Sequence, residues 1–406
     1  MFRKVLIILF LLFSKSLAQS SVSAIFLLIS PSPAMNGMGQ LGAALPSQDI
    51  FSIYYNPANF PRMNGLSLTY SFEGKTPWLT SLASDMFIHY KAGLVGCQFD
   101  RQRLESSLGY YRTYLDLGDQ IVMDEYGRQI GSFHSYMSAD VVTFGIHKNF
   151  SLGSVPLSLS LGGGVKSAIQ VLSAHTPGRS EDMFYDMGLM MTLPVLLTYS
   201  SFPVTLNVLP AVGYSVLNLG GEIEFFEGQS DPPPTTARLG FSLSLSLIDV
   251  KHDLSLVSWR YGREVEDVLI VWRGEWEARD WYVDAPLGDI NVFRHLIQGK
   301  EGEEVTLHKG EEVTLLGFYS LRVGEYVDLY GRLEFHTQGK SFYAHPVFQV
   351  LHLLFPSSLT GTLARHVDLS YSHSIENGGM RDGTRYQNVT LTLNHLGELI
   401  TKVWPK

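Results

Sequence analysis

Gly162-Gly163-Gly164-Val165-Lys166-Ser167 comes nearest to a catalytic signature in the chain. Glycines ahead of a Lys-Ser pair are how a phosphate loop wraps backbone N–H groups and an ammonium around an anion. The full Gly-x-x-x-x-Gly-Lys-Ser/Thr spacing is absent. The string also lies inside an alternating strand pattern, where glycine serves close packing against another segment. Ser372 and His373 pair a nucleophile with a base, but neighbours on a strand point to opposite faces and cannot cooperate. The thirteen histidines are scattered, with no His-Glu-x-x-His spacing. The lone Cys97 can build neither a disulfide framework nor a cysteine metal cluster. The acidic run Glu301, Glu303, Glu304 reads as the solvated face of a loop rather than a cation site. Asp328, Arg332, Glu334 and His336 fall on one face of a strand pattern, as lumen-lining residues would. They would line a polar pathway or form a mutually neutralising ladder on a wall, and the ladder is the preferred reading. No metal, no cofactor and no enzymatic reaction is expected.

The elements that would carry these residues are strands. Apolar residues alternate with small polar ones at Leu66, Leu68, Tyr70 and Phe72, at Val142, Phe144 and Ile146, and at Phe241, Leu243, Leu245 and Leu247. The same period recurs at Val367, Leu369 and Tyr371 and at Val389, Leu391 and Leu393. Strand starts are expected near Gly65, Ser84, Ser106, Gln129, Val155, Met183, Phe202, Thr235, Asp253, Glu266, Glu311, Val327, Thr362 and Arg385. That gives roughly fourteen, an even number as in single-chain outer-membrane barrels. The pattern from Ser106 to Asn149, broken at Glu125-Tyr126-Gly127-Arg128, implies strands far longer than the ~5 to 6 residues usual in soluble domains. Tyr110, Tyr111, Tyr114, Trp259, Tyr261 and Trp272 are candidates for interfacial girdles. The fold class is therefore all-β, a closed antiparallel transmembrane β-barrel of roughly fourteen strands.

Composition agrees. Charged residues are 17%, against about 25% in ordinary globular domains, and glycine and tyrosine are abundant. Arg3 and Lys4, the apolar run from Val5 to Phe13 and the small residues of Ser16-Leu17-Ala18 read as a signal peptide over 1–18. An N-terminal anchor is the weaker reading, because the run is short for a spanning helix. No later stretch reaches the ~18 to 20 apolar residues of a spanning helix. The expected location is the outer membrane of a Gram-negative-type bacterium, with its lipid as a partner. The net charge of −9 gives no reason to expect nucleic acid.

Two segments break the alternation. Residues 19–61 are rich in Gly, Ala and Pro and do not read as barrel wall, leaving 62–406 for the barrel. Residues 276–310 read as a long loop insertion, with a short amphipathic helix expected over 289–298. The string Gly-Glu-Glu-Val-Thr-Leu occurs at 302–307 and again at 310–315, but no fixed-period repeat runs along the chain.

The 19–61 segment carries Ser32-Pro33-Ala34-Met35-Asn36-Gly37-Met38-Gly39-Gln40, then Tyr54-Tyr55-Asn56-Pro57-Ala58-Asn59. These strings resemble the opening of the PorV/PorQ family of outer-membrane proteins, itself similar to the wider group of FadL-like barrels. Lys309 to Leu316 and Ser320-Leu321-Arg322-Val323-Gly324-Glu325-Tyr326 look like the same family, as does Arg263-Glu264-Val265-Glu266-Asp267. Lys340-Ser341 after Gly339 departs from it. Locally, Asn56 can cap a helix and Pro57 suits its first turn, while Gly37 and Gly39 permit backbone angles closed to other residues. By resemblance, residues 19–61 tuck into the barrel mouth as an N-terminal hatch segment, with Gly37, Gly39, Asn56, Pro57 and Ala58 as its motif, structural or gating.

The resemblance implies two functions of different class. Similarity to PorV implies an adaptor in type IX-like protein secretion, with secreted proteins bearing a C-terminal signal domain, or other secretion components, as partners. Similarity to FadL implies passive uptake of a hydrophobic small molecule through a lateral opening gated by the hatch.

Overall fold

Alternation becomes architecture because most inward residues of the wall are small or polar and most outward ones apolar. In the strand Thr236–Asp249, Ser242 and Ser244 are buried in the lumen while Phe241, Leu243, Leu245 and Leu247 face out. The structure is a computed structural model. It describes residues 22–79, 85–99, 103–153, 155–174, 178–198, 203–226, 229–252, 254–273, 280–284 and 286–403. The signal-peptide reading of 1–18 lies outside the described residues.

Fourteen antiparallel strands close into a barrel. They are β1 (Leu66–Pro77), β2 (Phe87–Phe99), β3 (Leu104–Met123), β4 (Gln129–Leu152), β5 (Val155–Val171), β6 (Arg179–Thr192) and β7 (Val204–Gly220). β8 (Thr236–Asp249), β9 (Leu254–Val268), β10 (Thr306–Leu315), β11 (Tyr319–Asp328), β12 (Leu333–Tyr343), β13 (Val367–Asn377) and β14 (Thr384–Leu393) complete the wall. Val195–Thr198 continues β6 past Pro194, still paired with β7. Closure runs through β1 and β14, which pair from Leu68↔Leu393 to Ser71↔Thr390. A closed barrel leaves no edge with unpaired N–H and C=O groups, as a lipid environment demands.

The outer surface carries Leu108, Val142, Phe144, Leu161, Met187 and Val323, each about half exposed or nearly so. A contiguous apolar belt of this extent is what a barrel presents to lipid, and the chain is an outer-membrane β-barrel. Tyr110 and Tyr114 face out near the upper edge of that belt, and Trp259 stacks on Tyr261. Tyr111 does not join them: its neighbours on β3 point outward, so it points inward and is fully buried against the hatch.

The number fourteen was expected, but two of the expected strands were misplaced. Glu266 lies near the end of β9 and starts no wall strand. The pattern begun at Val327 spans two strands, because 329–332 form a turn between β11 and β12, with Arg332 at φ +53°. The extra strand and the missed one cancel.

At the end of the wall where β1 begins and β14 finishes, β2 and β3, β4 and β5, β8 and β9, and β10 and β11 are separated by only two to four residues of sequence. At the opposite end the separations are longer, fifteen residues between β7 and β8 and 37 between β9 and β10. Short turns mark the periplasmic end of such barrels and long loops the extracellular end. Within 269–305 sit a small hairpin (Ile270–Arg273 with Asp280–Val283) and one wide helical turn, Val292–Ile297. That turn fulfils the helix expected over 289–298, but the loop ends at 305, since 306–310 already belong to β10. One periplasmic connection is not short: between β12 and β13 stand two helices, α1 (His345–Leu354) and α2 (Ser358–His366), and a third, α3 (Leu396–Val403), follows β14.

Candidate functional site

Residues 22–64 pack inside the barrel. Short helical turns at Ile25–Leu28, Pro33–Asn36 and Ser52–Tyr55 are joined by irregular backbone. Irregular backbone inside a barrel needs partners for its polar groups, and charged and polar side chains of the wall supply many of them.

Glu264 is the central clamp. Its Oε2 accepts the backbone N–H groups of Gly42 at 2.9 Å and Ala43 at 2.8 Å, and its Oε1 pairs with Arg238. Arg238 donates to the Gln40 carbonyl at 2.8 Å, reaches Glu266 at 2.9 Å, and lies over the Tyr55 ring at 4.8 Å. His308 Nδ1 stands 2.8 Å from the Gly39 carbonyl, and its Nε2 is 3.4 Å from Glu266. Thr337 accepts the Gly39 N–H at 2.9 Å. Gln40 donates to Glu376 at 3.0 Å, and Arg381 approaches the same carboxylate at 3.5 Å. A second clamp joins Arg260 and Arg322 through Glu312, both at 2.5 Å, while Arg260 also donates to the Pro46 carbonyl at 2.8 Å. These charges are buried and paired, the arrangement that makes removing one partner costly.

The hatch motif is placed as follows. Gly39 has φ +70° and lies against the backbone of Lys309 and Glu325, so both its angle and its space require glycine. Gly37 has an ordinary helical φ; its requirement is space alone, against Gly339. Asn56 does not start a helix. It follows Ser52–Tyr55, its Oδ1 accepts the Ala58 N–H at 2.9 Å, and its amide donates to the carbonyls of Ala43 at 2.7 Å and Leu189 at 3.1 Å. An Asx turn wins over a helix cap here because the wall offers carbonyls that a helix N-terminus does not. Pro57 and Ala58 lie over Gly162 of β5. The packing role expected for that glycine string therefore holds at Gly162, while Lys166 pairs inside the wall with Asp186 at 3.1 Å.

Asp328, Arg332, Glu334 and His336 do not line the lumen. Asp328 caps the turn by accepting the Gly331 N–H at 2.8 Å, Arg332 is exposed in that turn, and Glu334 and His336 pair with each other at 3.5 Å on the outer rim. The inward positions of β12 belong to Phe335 and Thr337. The inward charges escaped the sequence reading; Arg238 shows a signal, as a single charge in the otherwise apolar or small Thr-Ala-Arg-Leu-Gly-Phe-Ser-Leu, whereas Glu264 and Glu312 stand among other charges on their strands.

The hatch has two faces. Toward the extracellular end, Phe26, Leu27, Phe51, Tyr54 and Tyr55 pack on Trp78, Ile88, Tyr90, Tyr111, Phe184 and Tyr386. Toward the periplasm lies a polar vestibule of about 770 Å³, lined by residues such as Asp49, Arg62, His147, Arg260, Arg322 and Asp368. Burial pushes the Asp49 carboxyl above its usual range, against the Ser32 hydroxyl that donates to it at 2.5 Å. Burial likewise lowers Arg62, against the charge of Glu105 at 3.9 Å.

Above Ser71, β1 and β14 no longer pair. Their ladder holds four residue pairs, the shortest in the wall, and β1 carries a bulge between Ser71 and Gly74. Tyr90 closes the gap from inside. Its ring passes over Gly74, where a Cβ would collide with it, and its hydroxyl donates to the Gln387 carbonyl at 2.9 Å and accepts the Gln387 N–H at 3.0 Å. The same ring meets Phe51 of the hatch edge to face, centroids 5.7 Å apart.

No family model and no curated protein matches the chain. Among solved structures, it is similar to the Pseudomonas putida toluene transporter TodX (12% identity, 88% of this chain and 96% of that one, TM-score 0.38). It is also similar to the CymD monoaromatic hydrocarbon channel (10% identity, 90% and 97%, TM-score 0.36). A Pseudomonas aeruginosa FadL homologue matches at 8% identity over 90% and 97% of the chains, with a TM-score of 0.33.

Proposed function

We propose that this barrel is a hatch-gated passive channel, carrying a hydrophobic small molecule from the aromatic side of the hatch out through the β1–β14 seam. The observation that supports it is Tyr90. One side chain both bridges the weakest join in the wall and packs on the plug, so movement of Phe51 frees the ring that holds the seam shut. The route is apolar on its inner side, through Phe51, Tyr54, Tyr111 and Tyr386, and opens onto the lipid-facing belt. A solute that partitions into lipid needs no aqueous pore, which fits a lumen closed by clamps.

Tyr90→Ala removes the bridge and leaves the Gln387 backbone groups unpaired. Uptake of N-phenyl-1-naphthylamine, which fluoresces in apolar surroundings, is expected to accelerate several-fold in vesicles holding this variant. Tyr90→Phe, which loses only the hydroxyl, should fall between it and the wild type. Uptake equal to wild type in Tyr90→Ala would remove the seam from the route.

A second reading has its own observation. β3 and β4 run on beyond the belt to a tip where Ile121, Met123, Tyr126 and Ile130 are all more than half exposed. Such an apolar extracellular tip fits protein docking, as an adaptor for secreted proteins would need. That reading expects secreted proteins to be captured through this tip, with uptake indifferent to Tyr90.

A further inference from the structure

The connection between β12 and β13 breaks the rule that periplasmic turns are short, and it breaks a second rule as well. α1 reads His-Pro-Val-Phe-Gln-Val-Leu-His-Leu-Leu and buries none of its ten residues. The turn into α2 is apolar where a water-facing turn is polar: Leu354 is 65% exposed, Phe355 66% and Leu359 69%. The pair is nonetheless well built. Ser357 and Thr360 form a reciprocal capping box at the start of α2. His352 Nδ1 lies 3.0 Å from the Thr360 hydroxyl, and Gly361 lets the helices approach at His352. A stable helical hairpin whose outer face and tip are apolar has a partner that the chain itself does not supply.

We infer that α1 and α2 lie in the periplasmic leaflet of the outer membrane, as an in-plane anchor that takes lipid acyl chains against Val347, Val350, Leu351, Leu354, Phe355 and Leu359. Continuity with the barrel's lipid-facing surface selects this occupant. α1 begins where the Ala344 N–H donates to the Leu369 carbonyl and Tyr343 to Phe318, and Pro346 borders Gly317. The outward residues flanking that root, Leu316, Phe318, Phe342 and Leu369, are apolar and exposed, and the belt reaches them along β10 and β11 through Val313, Leu315, Leu321 and Val323, while β12 alone turns Gln338 and Lys340 outward. α3 joins the same sector. Arg365 of α2 pairs with Glu398 at 2.6 Å, on the polar side, while Ile400 is exposed. Helices with an apolar face and a charged one settle at the acyl–headgroup boundary.

The test places an NBD fluorophore on Leu354→Cys, in a Cys97→Ser background, in vesicles of phosphatidylcholine and phosphatidylglycerol. Leu351→Cys is a second site, and Tyr126→Cys at the extracellular tip is the aqueous control. Heat-modifiable migration on a gel confirms the fold of each. Emission at Leu354→Cys is expected to be blue-shifted and to fall by about half when doxyl-labelled lipid is added, as for a side chain among acyl chains. Tyr126→Cys should show neither change. Water-like emission at both hairpin sites overturns the inference. So does blue-shifted emission that ignores doxyl lipid and reverts when protein is diluted in lipid, which would assign the face to a second copy.

Discussion

Glu264→Ala releases the hatch while the wall stays closed. The variant leaves the Arg238 guanidinium buried without its nearer carboxylate and orphans the N–H groups of Gly42 and Ala43. Glu264 is 1% exposed, so water does not replace what is lost. Breaking a buried ion pair from one side costs about 3 to 5 kcal/mol. Here that cost falls on hatch docking, because the hatch adds no strand to the ladder. The readout is maleimide labelling of Met38→Cys in a Cys97→Ser background, since Met38 is fully buried in the closed state. The rate is expected to rise about a hundredfold or more, with heat-modifiable migration retained. Glu264→Gln keeps an acceptor for the two N–H groups and should rise less. Unchanged labelling in a folded Glu264→Ala barrel would show that the clamp does not hold the plug.

The second large effect comes from adding volume. Gly324 lies under the Met38–Gly39 backbone so closely that a Cβ would overlap it. Gly310 meets the same Met38 backbone, Gly213 that of Ala43 and Gly162 that of Pro57, while Gly262 meets the Leu41 side chain; Gly262–Gly310–Gly324 are direct ladder partners. Glycine in these strands lets two backbones touch. Gly324→Val pushes the hatch off the wall at an overpacking cost of about 1 to 3 kcal/mol, a rise of roughly ten- to a hundredfold in Met38→Cys labelling. Gly131→Ala, with open space around its Cβ position, is the control and should change nothing. Equal labelling in the two variants would mean that the wall glycines are not what seats the hatch.

The wall was legible because its period is two and its turns are marked. β4 and β5 begin at Gln129 and Val155, where the alternation places them. Legibility failed where the period carried across a turn. Leu329 to Arg332 keep the alternation of their neighbours, so Asp328 to His336 read as one strand until Arg332's left-handed backbone shows a turn. Parity also says which residues share a face, but not which face is the lumen. Glu334 and His336 are polar and face outward, above the belt, while Phe335 faces in.

The site was legible in part. The glycines of the hatch and Gly162 announce close backbone contact, but their partners, hundreds of residues away in some cases, do not show in a linear string. The repeated Gly-Glu-Glu-Val-Thr-Leu makes the limit plain. Glu304 of the first copy is a loop residue, 3.0 Å from the half-exposed Arg294, whereas Glu312 of the second is buried between Arg322 and the partly buried Arg260. Identical neighbours in sequence give opposite roles, because only the second copy lies at hatch level. Tyr90 was invisible for the same reason: its task depends on a bulge in β1 and a short ladder with β14.

The most direct test of hatch gating locks the hatch to the wall reversibly. A Cβ at Gly240 would stand 3.2 Å from that of Ala44, close to the ~3.5 to 4.5 Å of a disulfide. With Ala44→Cys and Gly240→Cys in a Cys97→Ser background, oxidation is expected to stop uptake of N-phenyl-1-naphthylamine into vesicles, and reduction to restore it. Uptake that continues undiminished through the oxidised, cross-linked protein would contradict a gating hatch.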